Sequence, residues 1–114
     1  MKFFSALTLL AVFLFAFQGC SDDPPTLRVR NDFTKKANLQ FKPSVGSTFN
    51  INDVEAGAAT EYRDIAEATF IVTATIQGET EAPTAEFTSK NNYRYTIVVT
   101  NDNPPTLRTE SEER

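Results

Sequence analysis

The sequence holds 114 residues, with 11 Lys plus Arg against 15 Asp plus Glu and a formal net charge of −4. That length suits one domain and is short for two. There is no His, no Trp and a single Cys, which excludes a Ser-His-Asp triad, a Cys nucleophile with a His base, an internal disulfide and a zinc site built on His or Cys ligands.

The first twenty residues stand apart. Lys2 is followed by Phe3 to Phe17, a run of Phe, Leu, Ala and Val broken only by Ser5 and Thr8. A spanning helix needs about 20 apolar residues, whereas a helical signal peptide needs an apolar core of roughly 7–15. An ordinary secretory cleavage site wants small residues at −1 and −3. Cleavage after Gly19 would put Phe17 at −3, and cleavage after Gln18 would put a bulky amide at −1. The stretch Phe17-Gln18-Gly19-Cys20 instead resembles a bacterial lipobox, in which a small residue precedes a Cys that becomes acylated at the new N-terminus. Gly19 and Cys20 fit that pattern; Phe17 and Gln18 depart from the residues usual before them. The resemblance implies a lipoprotein signal peptide over 1–19 and a lipid anchor, palmitate included, on Cys20. Each buried methylene of an acyl chain contributes about 0.8 kcal/mol to membrane attachment.

Ser21-Asp22-Asp23-Pro24-Pro25 reads as an acidic, proline-stiffened linker completing a segment over 20–25. Ser21 stands where inner-membrane lipoproteins commonly carry Asp, which favours the outer membrane. The acidic pair resembles an export signal to the outer cell surface; it is equally the composition of a solvated linker. The chain from Cys20 onward carries a net of −5, and residues 24–109 only −1. No basic stripe is present, which argues against nucleic acid as a partner.

The body, 26–109, alternates with period two, the pattern of half-buried strands. Leu27, Val29 and Phe33 share one face, with Arg28 and Arg30 opposite. Ala37, Leu39 and Phe41 alternate with polar residues until Pro43. A turn over 44–47 leads to Phe49 and Ile51, and Asn52-Asp53 has turn chemistry. A further strand is expected over Thr60–Ile65. Phe70, Val72, Ala74 and Ile76 oppose Ile71, Thr73, Thr75 and Gln77, ending at Gly78. Ala85 and Phe87 mark a shorter strand, and Ser89-Lys90-Asn91-Asn92 reads as a hairpin loop. Tyr93, Tyr95, Ile97 and Val99 form the last long strand. After the breaker 101–105, a short strand over Thr106–Thr109 precedes an acidic tail at 110–114. Pro-Pro-Thr-Leu-Arg occurs twice, at 24–28 and 104–108, and reads as two strands entered through similar breakers. Seven or eight short strands with brief connections indicate an all-β, antiparallel sandwich or a barrel.

Few groups suggest chemistry. Glu61 and Asp64 could form a carboxylate pair, yet a solvated strand face accounts for both. Asn50, Asn52 and Asp53, and Asn101, Asp102 and Asn103, carry calcium-type oxygens, but turn chemistry explains them as well. Tyr62, Tyr93 and Tyr95 could stack on sugars, or pack at the core edge with their hydroxyls in water. No catalytic residue, metal ligand or cofactor site is assigned, and Cys20 is the one site residue.

The segment Gly57-Ala58-Ala59-Thr60-Glu61-Tyr62-Arg63-Asp64-Ile65, followed by Thr69-Phe70-Ile71-Val72-Thr73 and later by Tyr95-Thr96-Ile97-Val98-Val99, is similar to a family of secreted bacterial β-sandwich domains of unknown function. The family tends to have Pro-Ala-Gly where this chain has Ala66-Glu67-Ala68. The resemblance implies an Ig-like or transthyretin-like sandwich and no activity. The expectation is an envelope lipoprotein of the outer membrane, a non-catalytic binding or structural module with a surface protein or a glycan as its partner. A small ligand carrier with an apolar barrel pocket, and a carboxylate-dependent hydrolase, are the competing expectations.

Overall fold

The computed structural model describes residues 22–114, so the signal peptide and Cys20 lie outside the described residues. Eight strands follow in chain order: β1 (Thr26–Asn31), β2 (Ala37–Pro43), β3 (Phe49–Val54), β4 (Arg63–Asp64), β5 (Thr69–Ile76), β6 (Thr84–Thr88), β7 (Tyr93–Val99) and β8 (Leu107–Glu113). They form two four-stranded sheets, β4-β1-β7-β8 and β3-β2-β5-β6. The protein is a β-sandwich.

Alternation dictates the core. Leu27 and Val29 of β1, with Tyr95, Ile97 and Val99 of β7, face Ala37, Leu39 and Phe41 of β2 and Phe70, Val72, Ala74 and Ile76 of β5; all are buried. The core is graded along its length. At one end Phe49, Phe41, Phe70 and Phe87, one from each strand of the second sheet, stack or meet edge-on, and Phe87 meets Tyr95 across the sandwich, with centroids 5.0–6.1 Å apart. Such pairs add about 0.5–1.5 kcal/mol each beyond burial. The opposite end is mainly aliphatic, with the buried Asn31 and the partly buried Phe33 beside those side chains.

The pairing is antiparallel except between β1 and β7, which run parallel over Thr26–Asn31 and Arg94–Val99. Short connections favour antiparallel neighbours, but β1 and β7 are not joined directly. The whole second sheet intervenes as their crossover.

Five local readings change. Asn52-Asp53 is not a turn. It is a bulge within β3, where Leu39 opposes Ile51 but Ala37 opposes Val54. Asp53 takes φ 58, a left-handed conformation that Asp tolerates better than most residues. The extra residue turns Val54 into the core; regular alternation would have pointed it outward.

Thr60–Ile65 yields only the two-residue β4 and a single bridge between Arg30 and Ala59. The amide of Val29 donates to the Thr60 hydroxyl at 3.0 Å, so a side chain takes the place of a main-chain acceptor and breaks the ladder. The loop 89–92 is not a hairpin but an arch between sheets, because β6 pairs with β5 and β7 with β1 and β8. Ser89 is buried there, its hydroxyl donating to the Ala66 carbonyl and accepting from the Ala68 amide. The Tyr95 hydroxyl accepts the Lys90 amide.

The acidic tail at 110–114 is instead the second half of β8, held along β7 from Val99–Leu107 to Tyr93–Glu113. Arg108, Glu110 and Glu112 alternate with Thr109 and Ser111, so the strand has an outward charged face and little apolar signal.

The linker over 20–25 is likewise shorter than its composition suggests. Pro25 is buried, the amides of Asp23 and Asn92 bond to each other's residues at 3.0 and 2.9 Å, and the Ile65 amide donates to the Pro25 carbonyl. Both Pro-Pro pairs do lead into strands of one sheet, and Pro105 is buried like Pro25.

Asn31, at the end of β1, is fully buried. Its amide donates to the carbonyls of Lys35 (2.7 Å) and Val54 (3.0 Å), and its side-chain oxygen accepts the Phe33 amide. Asn31→Leu conserves most of the volume but strands two carbonyls and one N–H, at about 1–3 kcal/mol for each buried group left unpaired. The expected loss is about 3 kcal/mol in urea unfolding; a change below about 0.5 kcal/mol would show that Asn31 does not lock this end.

Candidate functional site

The outward face of the first sheet is a lattice of arginines and carboxylates. Strand register lays it out in rows: Thr26, Arg94 and Glu112; Arg28, Thr96 and Glu110; Arg30, Val98 and Arg108. Each row draws one side chain from β1, one from β7 and one from β8. Val98 is fully buried although it points away from the core. It lies between Arg30 and Arg108, whose long stems cover apolar surface while their heads stay in water.

Glu110 is the centre of the lattice. It accepts from Arg108 at 2.9 Å and from Arg30 at 3.4 Å, and Arg30 also pairs with Asp32 at 3.1 Å. The hydrogen bond from Arg108, then the Arg30 and Arg108 charges, hold the Glu110 carboxyl below its ordinary value despite partial desolvation. Arg30 is shifted upward, chiefly by its hydrogen bond to Asp32. Arg94 pairs with Glu112, and its Nε makes no formal hydrogen bond there.

Arg28 differs from its neighbours. Among the described residues it has no carboxylate partner. Its Nε donates to the Thr96 hydroxyl at 3.1 Å, and its guanidinium lies 4.8 Å from the centre of the Tyr62 ring. Arg94 approaches the same ring at 5.7 Å. Tyr62 is 37% exposed. Arg28, Tyr62, Arg94, Thr96, Glu110 and Glu112 border a shallow depression of about 170 Å³. Two arginines over one aromatic ring, one of them free of an acid, make a surface suited to a carboxylate or another planar anion.

The other outward face is different. Asn38, Gln40, Asn50, Asn52, Thr73 and Thr75 line an uncharged polar depression of about 260 Å³.

The residues singled out from the sequence scatter. Tyr95 is in the core, Tyr93 packs against it, and only Tyr62 presents its ring to the surface. Asp64 lies in β4, opposite Thr26, and Glu61 is exposed beside Tyr62. Asn50 faces outward beside Gln40, and Asp53 pairs with Lys36 at 3.4 Å. Asn101, Asp102 and Asn103 form the bend before β8, tied across its base by Thr100 and Thr106. Among the described residues no group of three or more acidic or thiol side chains is placed to hold a metal. Sequence reading missed the convergence of Arg28 and Arg94 on Tyr62. The alternation of Arg28 and Arg94 was visible; their shared row neighbours depended on a parallel pairing.

No family model matches this chain, and no curated protein matches it. Among solved structures it is similar to a protein from Eubacterium rectale determined by NMR, with a TM-score of 0.51, 18% identity, and coverage of 79% of this chain and 89% of that one. At that identity the likeness concerns the fold alone.

Glu110 yields a pH prediction with a definite sign. Its lowered value means that its pairs stabilise the fold above the ordinary carboxylate range and lose that contribution as pH falls through the folded value. Glu110→Gln should therefore cost at most about 1 kcal/mol at pH 7, because the partners are exposed. The deficit should vanish in acid and shrink in high salt. A deficit that persisted at pH 2 would assign the effect to packing.

Proposed function

We propose that the protein is a lipid-anchored envelope lipoprotein of the bacterial outer membrane, a non-catalytic binding module whose first-sheet outer face meets an acidic group on a surface protein or glycan. The observation that carries the reading is the order of parts. A charged start and an apolar run end at Gly19-Cys20, and a compact sandwich opens at Thr26.

Two features support a binding module over the competing readings. The space between the sheets is occupied by packed side chains of both, whereas a carrier needs an apolar cavity there. The depression on the first sheet lies outside that core. Its carboxylates Glu110 and Glu112 are both held by arginines, and Glu110 is shifted away from the raised value that a general acid requires.

Growth on a radiolabelled fatty acid tests the anchor. The native protein should incorporate label, and Cys20→Ala should incorporate none and leave the membrane fraction. Label retained by Cys20→Ala would refute the reading.

A further inference from the structure

The strands place one end of the sandwich at the tether. The start of β1 pairs with the start of β7 and the end of β4, and the starts of β3 and β5 lie at that same end with the ends of β2 and β6. This near end carries the loops 44–48, 65–68 and 89–92. Asp22 and Asp23 are fastened to it: the Asn92 amide group donates to the Asp22 carboxylate at 3.2 Å, the Asp23 and Asn92 backbones are tied as described above, and Arg114 donates to the Pro24 carbonyl. Cys20 precedes Asp22 by two residues. Two residues span at most about 7 Å even when fully extended, so an acyl group on Cys20 would leave little free chain between the anchor and this end.

Two further observations concern the same end. Val45, in the β2–β3 loop, is 70% exposed, and Ile71, on the outer face of β5 near its start, is 49% exposed. They are two of the three large hydrophobic residues exposed in the described chain. Isolated exposed apolar residues are ordinary on a surface, but both here lie at the end to which Asp22 and Asp23 are fastened. The loops at the opposite end carry Asp32, Glu55, Glu79, Glu81 and Asp102 against Lys35 and Lys36, a net acidic set.

We infer that the near end is a membrane-docking surface: the pinned lead-in seats the sandwich end-on against the lipid headgroups, with the Val45 loop in contact with the bilayer and the acidic far end held away from it. The inference rests on acylation of Cys20. The near end is not basic, since Arg63, Lys90 and Arg114 are balanced there by Asp22, Asp23, Asp64 and Glu67. Its recognition of the bilayer is therefore a matter of tether length and apolar contact, with little dependence on anionic lipid.

The test uses the full-length acylated protein in phosphatidylcholine vesicles that contain a lipid with a nitroxide on its headgroup. Acylation occupies Cys20, so Val45→Cys and Glu81→Cys each offer one free thiol for a fluorophore. Both positions are exposed. Label at position 45 should be strongly quenched and label at 81 unquenched, since the two are separated by roughly the 20 Å of a six- or seven-residue strand. Inserting twelve Gly/Ser residues between Ser21 and Asp22 should abolish the difference, because such a linker spans on the order of 20 Å. Equal quenching at 45 and 81, with the acyl chains confirmed by mass spectrometry, would overturn the docking orientation and leave the anchor standing. An unmodified residue 20 would overturn the anchor and this inference with it.

Discussion

The parallel ladder between β1 and β7 is the constraint on which the rest depends. It joins the start of the domain to a strand 68 residues further on, and so closes the chain around the second sheet. Five residues of β1 then acquire their roles together. Leu27 and Val29 enter the core, Arg28 and Arg30 reach the outer lattice, and Asn31 locks the far end through the Lys35 and Val54 carbonyls. Long-range pairing of this kind costs loop-closure entropy before any contact forms. Burial on both sides of β1 has to offset it, and Val98 under the arginines adds apolar burial on the side away from the core.

The strands themselves were legible because each buries one face. In β2, β5 and β7 the period-two pattern placed every inward residue correctly, from Ala37 to Val99. What alternation cannot state is partnership. A hairpin between β6 and β7 looked natural from Ser89-Lys90-Asn91-Asn92, yet those turn residues serve an arch, and positive φ at Asn92 suits either. Asn52-Asp53 reads as a turn because turns and bulges use the same residues for the same left-handed backbone. The sequence shows only the start of β8, because its outer residues are Arg108, Glu110 and Glu112, and a strand that exchanges charges with its neighbours carries no hydrophobic signature. The candidate face is legible only in part for the same reason: Arg28, Tyr62 and Arg94 meet through register, which a single sequence does not display.

The two outer faces differ in chemistry. One is charged, partly apolar beneath, and anchored by Glu110; the other is neutral, with amides and hydroxyls. The polar strands β3 and β8 lie at sheet edges, where charges and a bulge discourage pairing with other chains.

The central claim is that the lead-in to β1 belongs to the folded body. Amide hydrogen exchange measures this directly. The amides of Asp23 and Asn92, each hydrogen-bonded to the other residue, should exchange more slowly than the exposed loop amides of Val45 and Gly46, and should share the protection of β1. Exchange of Asp23 and Asn92 at the rate of a free chain would make residues 22–25 a flexible spacer, and would contradict the account.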